Sequence, residues 1–165
     1  MESQRFGNRY VLRLMPGEEL RETLTAFADS HDIRGGYFVA FGAFCRATLQ
    51  YFDIESRQYR DNEVNCQVEV VSLTGNIARG ESGTVLHIHG AFGDAQARTY
   101  SGHVAKAVVR PTLELFLTDL GGELRRKKDP ETGLELLALA PDEAQPGGEE
   151  LEAEQEDVLV SGERL

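Results

Sequence analysis

Apolar positions along this chain fall into one helical stretch followed by a succession of β-like runs. Arg9–Leu14 alternates Tyr10, Leu12 and Leu14 with Arg9, Val11 and Arg13, the period of a half-buried strand. Pro16-Gly17-Glu18-Glu19 then opens a helix, with proline early and acids in the first turn. Leu20, Leu24, Phe27 and Ala28 recur at helical spacing and predict its buried stripe. His31 falls at the C-terminal end, where an imidazole can bond the last carbonyls. Beyond Gly35-Gly36 the period switches to two. Tyr37–Ala43 and Ala47–Ile54 are strands, and Val64–Leu73 is nearly continuous in valine and leucine, which predicts that both its faces are covered. Val85–Ala91, Arg98–Val109, Thr112–Thr118 and Leu134–Ala140 complete the set.

One helix against seven or more strands predicts an α+β fold, with the helix packed on an antiparallel-rich mixed sheet. The long apolar strands exceed what one helix can cover. Either the sheet closes into a barrel-like core or neighbouring subunits cover it, so a homo-oligomer is expected on area grounds.

Length and charge set the domain boundary. A chain of 165 residues supports one domain with a real core. The net charge of −11 is unevenly placed: Pro141–Leu165 holds nine acidic residues and one basic residue. We therefore expect a folded body over 1–140 and a solvating, disordered acidic tail over 141–165. The body is nearly neutral, which is not the footprint of a nucleic-acid binder. Its one basic cluster, Arg125-Arg126-Lys127-Lys128, precedes a turn and is expected at a solvated hairpin tip; it is the only local patch for DNA. Cys45 and Cys66 read as buried thiols in a reducing compartment. No apolar leader and no membrane-length stretch is visible, so a cytoplasmic location is expected.

The histidines change the picture most. Of the four in the chain, His87, His89 and His103 fall within 17 positions. Residues two apart share a strand face, so His87 and His89 point the same way. Gly93-Asp94-Ala95-Gln96 supplies turn chemistry, and a hairpin centred near Gln96 sets His89 opposite His103. Gly102 is a candidate bulge that adjusts the aim of His103. Imidazole is the commonest metal ligand, and three of them with an open position make a catalytic-zinc pattern. The competing expectation is that these are surface or satisfied core histidines, since alternation also places two polar residues on a solvated face. Fe, Ni and Cu also suit imidazole.

The stretch from Tyr10 to about Ala140 resembles the plants-and-prokaryotes-conserved (PPC) domain family. The matching pieces are Leu14-Met15-Pro16-Gly17-Glu18-Glu19-Leu20, Gly42-Ala43, Glu69-Val70-Val71-Ser72-Leu73-Thr74-Gly75-Asn76, His87-Ile88-His89-Gly90, Gly102-His103 and Thr112-Leu113-Glu114. The resemblance implies a trimer-forming α+β subunit in which the three histidines form a metal site. In plants this domain accompanies AT-hook motifs in DNA-binding regulators; this chain has no Arg-Gly-Arg-Pro segment. The fold is also similar to that of acetolactate decarboxylase, a zinc enzyme with a comparable histidine set. The family motifs single out Glu69 and Glu114 as carboxylates that could act as a fourth ligand, orienter or general base; the alternative for each is an ion pair, with Arg79 or Arg110.

Two function classes follow. One is a trimeric binding or regulatory module whose zinc is structural or ligand-sensing, with DNA as a candidate partner. The other is a zinc lyase or hydrolase acting on a small oxygenated acid, with His87, His89 and His103 on the metal and Glu69 or Glu114 moving the proton. An open coordination position beside a small-molecule pocket separates the second from the first.

Overall fold

Strand pairing organises nearly everything outside one helix. A computed structural model describes residues 1–139. The elements are β1 (Glu2–Phe6), β2 (Arg9–Leu14), α1 (Leu20–Ser30), β3 (Gly36–Asp53), β4 (Gln58–Val64), β5 (Val68–Gly80), β6 (Gly83–Gly93), β7 (Thr99–Asp119), β8 (Arg125–Lys128) and β9 (Glu135–Ala138). They form one nine-stranded sheet in the order β1-β2-β7-β3-β5-β8-β9, with β4 on β3 and β6 bridging β5 and β7. All pairings are antiparallel except a single parallel pair, Arg79 with Arg125, that joins β5 to β8. The α+β class is therefore as expected.

The barrel-like core is not. The sheet path runs out to β1 at one end and β9 at the other, so it is not a closed barrel, although β6 links β5 to β7 and rings those two strands with β3. Register shifts interrupt the ladders of the long strands β3, β5 and β7.

The helix begins where its cap dictates. The Glu19 carboxylate accepts from the Glu22 amide at 2.8 Å and from the Ala107 amide at 3.0 Å, tying the helix start to β7. At the far end His31 Nδ1 lies 2.9 Å from the Phe27 carbonyl, as its position predicts. Leu20, Leu24, Phe27 and Ala28 are buried against Leu12, Leu14, Phe38, Ile77, Ile88 and Leu115.

Several strand readings need correction. Tyr37–Ala43 and Ala47–Ile54 are one strand, β3, and Arg98–Val109 and Thr112–Thr118 are one strand, β7. Val64–Leu73 is two elements: Val64 ends β4 and Val68 begins β5. Its two faces are not both covered, because Glu69 and Val71 are exposed while Val68, Val70 and Leu73 are buried. β1 and β4 were not anticipated, because fully or largely exposed edge strands carry no apolar period. The irregularity near the third histidine lies at Ala105, which has no β3 partner between Lys106↔Thr48 and Val104↔Leu49, not at Gly102. Gly102 is required for another reason: a Cβ there would lie 2.9 Å from the Gln50 carbonyl oxygen. Cys66 is exposed and Cys45 half-buried, so neither is the buried thiol expected. Arg125–Lys128 forms strand β8, and Arg126 is buried, so the run is not wholly a solvated tip. No described helix is long and apolar enough to cross a membrane. The acidic tail over 141–165 lies outside the described residues.

The face of the sheet away from the helix stays open. Tyr37, Val39 and Phe41 on β3 and Phe116 on β7 are exposed, with Val39 directly opposite Phe116. The histidines stand on this face.

Candidate metal centre

Parity and register bring the three histidines together. Along β6, Leu86, Ile88 and Gly90 are buried toward the helix, which turns His87 and His89 to the open side. Hairpin β6–β7 sets His89 opposite His103. On the other flank Thr74 pairs with His89 and Asn76 with His87. His87 Nε2 and His89 Nε2 are 3.1 Å apart, and one ring nitrogen from each of the three histidines lies within 4.8 Å of the others. Nitrogens around a tetrahedral zinc, bound at about 2.0–2.1 Å, stand about 3.3 Å apart. The donor set therefore fits a divalent transition ion with only small side-chain movement.

β6 and β7 stop pairing beyond His89↔His103. In the gap the Arg21 guanidinium, rising from α1, donates to the Leu86 carbonyl at 3.1 Å and the Val104 carbonyl at 3.2 Å. This satisfies two carbonyls where the strands part. From the opposite wall Arg126 donates to Asn76 Oδ1 at 2.9 Å, to the Glu135 carbonyl at 2.5 Å and to His87 Nδ1 at 3.2 Å. Tyr59 of β4 leans over His103, ring centroids 5.5 Å apart.

These surroundings disfavour the charged form of two of the imidazoles. His103 is pushed down to about 4, chiefly by burial and then by the neighbouring His87, Arg21, His89 and Arg126. His87 is lowered by burial and then by Arg126, His89 and Arg21. Neutral imidazole is the form that binds a metal, so His87 and His103 need lose no net charge to ligate at neutral pH. The same two guanidiniums oppose a second cation, and an anion beside the metal would offset them.

Two clefts flank the cluster. One, about 370 Å³, is lined by Tyr37, Val39, Thr74, Asn76, His87 and His89 on the open face. The other, about 330 Å³, runs between Arg21, Tyr59, His87, His103, Arg126 and the β8–β9 hairpin.

Glu69 and Glu114 lie elsewhere. Glu69 is exposed opposite Ala43 and Gly93, five residues along β5 from the Thr74 that faces His89, roughly 17 Å away. Glu114 is exposed opposite Arg13 and Phe41. Neither forms an ion pair among the described residues, and Arg79 pairs with Asp29 instead. Arg21, Tyr59, Asn76 and Arg126 were missed in sequence. Asn76 had a signal, since Thr74 and Asn76 alternate as His87 and His89 do.

Residues 1–121 match the family model described as the Plants and Prokaryotes Conserved (PCC) domain. A curated relative, the bifunctional protein GlmU of Synechococcus sp. (strain JA-3-3Ab), is 34% identical over 141 residues, 83% of this chain. The chain spans only about a fifth of that relative's length, 21%. A metal-containing protein of Archaeoglobus fulgidus has a similar solved structure, at TM-score 0.76 and 32% identity, covering 82% of this chain and 96% of that one. A candidate DNA-binding protein of Bacteroides thetaiotaomicron is similar at TM-score 0.80 and 26% identity, with 83% and 96% covered.

Proposed function

This chain belongs to the Plants and Prokaryotes Conserved domain family, and from that premise we propose that it is a homotrimeric metal-binding module whose His87, His89 and His103 hold one zinc ion per chain. The observation that carries the reading is the convergence of three imidazoles, with two Nε2 atoms 3.1 Å apart, in surroundings that disfavour protonation of His87 and His103. The metal-containing relative supports it. Held by His87, His89 and His103, zinc would supply Lewis acidity. The protein's own part is to orient the rings: β6 parity fixes His87 and His89, and the β6–β7 register fixes His103.

Trimerisation is supported by the open apolar face. Val39, Phe41, Tyr37 and Phe116 form a patch that water meets in the single chain, and other copies would cover it. A regulatory role with DNA as partner draws on the candidate DNA-binding relative. In this chain the basic patch is small: Arg126 is buried, Arg125 pairs with Glu123 at 2.5 Å, and Lys127 and Lys128 are left exposed. The enzymatic reading, a lyase or hydrolase on a small oxygenated acid, is favoured by the cleft that joins two ligands to two arginines.

Cobalt substitution tests the metal reading. We expect one Co²⁺ per chain with the strong visible absorption of a four-coordinate site, shifted by added azide because one position is open. Six-coordinate, weakly absorbing cobalt that is insensitive to His103→Ala would overturn it.

A further inference from the structure

Arg126 is a cation beside the three-imidazole cluster with no carboxylate paired directly to it; the Glu135 carboxylate acts on it only at longer range. Its residue is more than nine-tenths buried, and among the described residues its Nε–H has no hydrogen-bond partner. None of the ion pairs among the described residues includes it. Glu135, the one acid lining the same cleft, meets Arg126 through its backbone carbonyl.

Counting lone pairs at His87 shows what the arginine does. Arginine keeps its protons, so His87 Nδ1 must accept from Nη2. A neutral ring has one lone pair, and Nε2 is then the N–H. A metal at Nε2 needs the lone pair there, which places the proton on Nδ1 and turns the contact into N–H against N–H. The Arg126–His87 hydrogen bond and metal ligation through His87 Nε2 therefore exclude each other. Once released from His87, Nη2, which keeps its other N–H on Asn76 Oδ1, and the unpartnered Nε–H form one edge of the guanidinium, the fork that grips a carboxylate with two hydrogen bonds.

Building on the metal reading, we propose that this cleft is a carboxylate subsite: a small organic carboxylate binds Arg126 through Nε and Nη2, draws it off His87, and so binds cooperatively with the metal. The cleft's size of about 330 Å³ suits a small molecule, and Val85, Leu134 and Leu136 offer apolar walls for its carbon skeleton. That lining favours an organic acid over inorganic phosphate. Entry requires the wall to give, and among the described residues hairpin β8–β9 is paired to the rest of the sheet only through Arg79↔Arg125. Arg126 and this hairpin lie beyond residue 121, outside the stretch matched by the family model.

The test is zinc titration of the full chain against a competing chelator, at fixed ionic strength, with millimolar lactate, malonate, phosphate or chloride. Lactate or malonate should tighten zinc binding about tenfold, within the usual range of coupling between sites, and phosphate and chloride should not. Arg126→Gln should abolish the coupling and tighten zinc on its own, because a Gln Oε1 can accept from Nδ1–H. Arg126→Lys keeps the charge without the fork and should also lose the coupling. Zinc uptake at one per chain with no carboxylate response overturns the subsite and leaves the metal reading intact. An equal response in wild type and Arg126→Gln places the carboxylate on the metal alone and overturns it too. An equal phosphate response overturns the organic-acid assignment, and no zinc uptake under any condition overturns both readings. The wild-type titrations decide even where a variant fails to fold.

Discussion

The two faces of the sheet are built from the same strands and do different work. On β6, Leu86, Ile88 and Gly90 face the helix and are buried, while His87 and His89 face outward. On β3, Phe38 and Ala40 are buried, while Tyr37, Val39 and Phe41 are exposed. Period-two alternation thus separates stability from chemistry residue by residue. A change on one face should leave the other nearly untouched, which makes the contrast experimentally accessible.

The largest expected effect lies on the inward face. Ile88→Ala should cost about 2–5 kcal/mol by opening a cavity against the helix, yet leave zinc stoichiometry unchanged while the protein stays folded. Denaturant unfolding measures the first and elemental analysis the second. Loss of zinc from a folded Ile88→Ala protein would show that the faces are coupled.

Next comes the outward apolar patch. Val39→Glu combined with Phe116→Glu places two carboxylates directly opposite each other on the proposed subunit contact. Light scattering should then report a monomer with native circular dichroism. A trimer mass that survives would move the interface elsewhere.

A smaller effect comes from pH. Folded His103 is held down to about 4, against 6.5 for a free histidine. Below 6.5 the unfolded chain takes up a proton that the folded chain refuses until about 4. Stability of the metal-free protein therefore falls as pH drops through that window, and His103→Asn should flatten this part of the decline. Urea unfolding across the window measures it, and parallel pH profiles for the two proteins would contradict the assignment.

The smallest effect concerns DNA. With Arg126 turned inward, only two or three cations remain on the basic run. The logarithmic salt dependence of DNA binding should be no steeper than about −3, and binding should vanish at moderate salt. A steeper slope would point to a DNA surface outside this run.

What could be read in the sequence followed from periodicity. The HxH pair, its hairpin register with His103, the helix stripe and the His31 cap needed only spacing and turn chemistry. Arg126 did not show, because four consecutive cations look solvated until a strand assigns alternate residues inward. Arg21 did not show, because it lies beside the helix stripe and reaches its carbonyls only where β6 and β7 part. β1 and β4 were silent because polar edge strands owe their structure to pairing partners. Barrel closure was a wrong extrapolation from apolar length: the excess apolar surface stays exposed on an open face. Glu69 and Glu114 came from family motifs, and neither lies beside the histidines within one chain.

The most direct test of the central claim is elemental analysis of purified protein, wild type against His89→Ala. About one zinc per chain in wild type, and loss of zinc from a variant that remains folded and equally stable without metal, is the result predicted here. Equal metal content in the two proteins would contradict the three-histidine site.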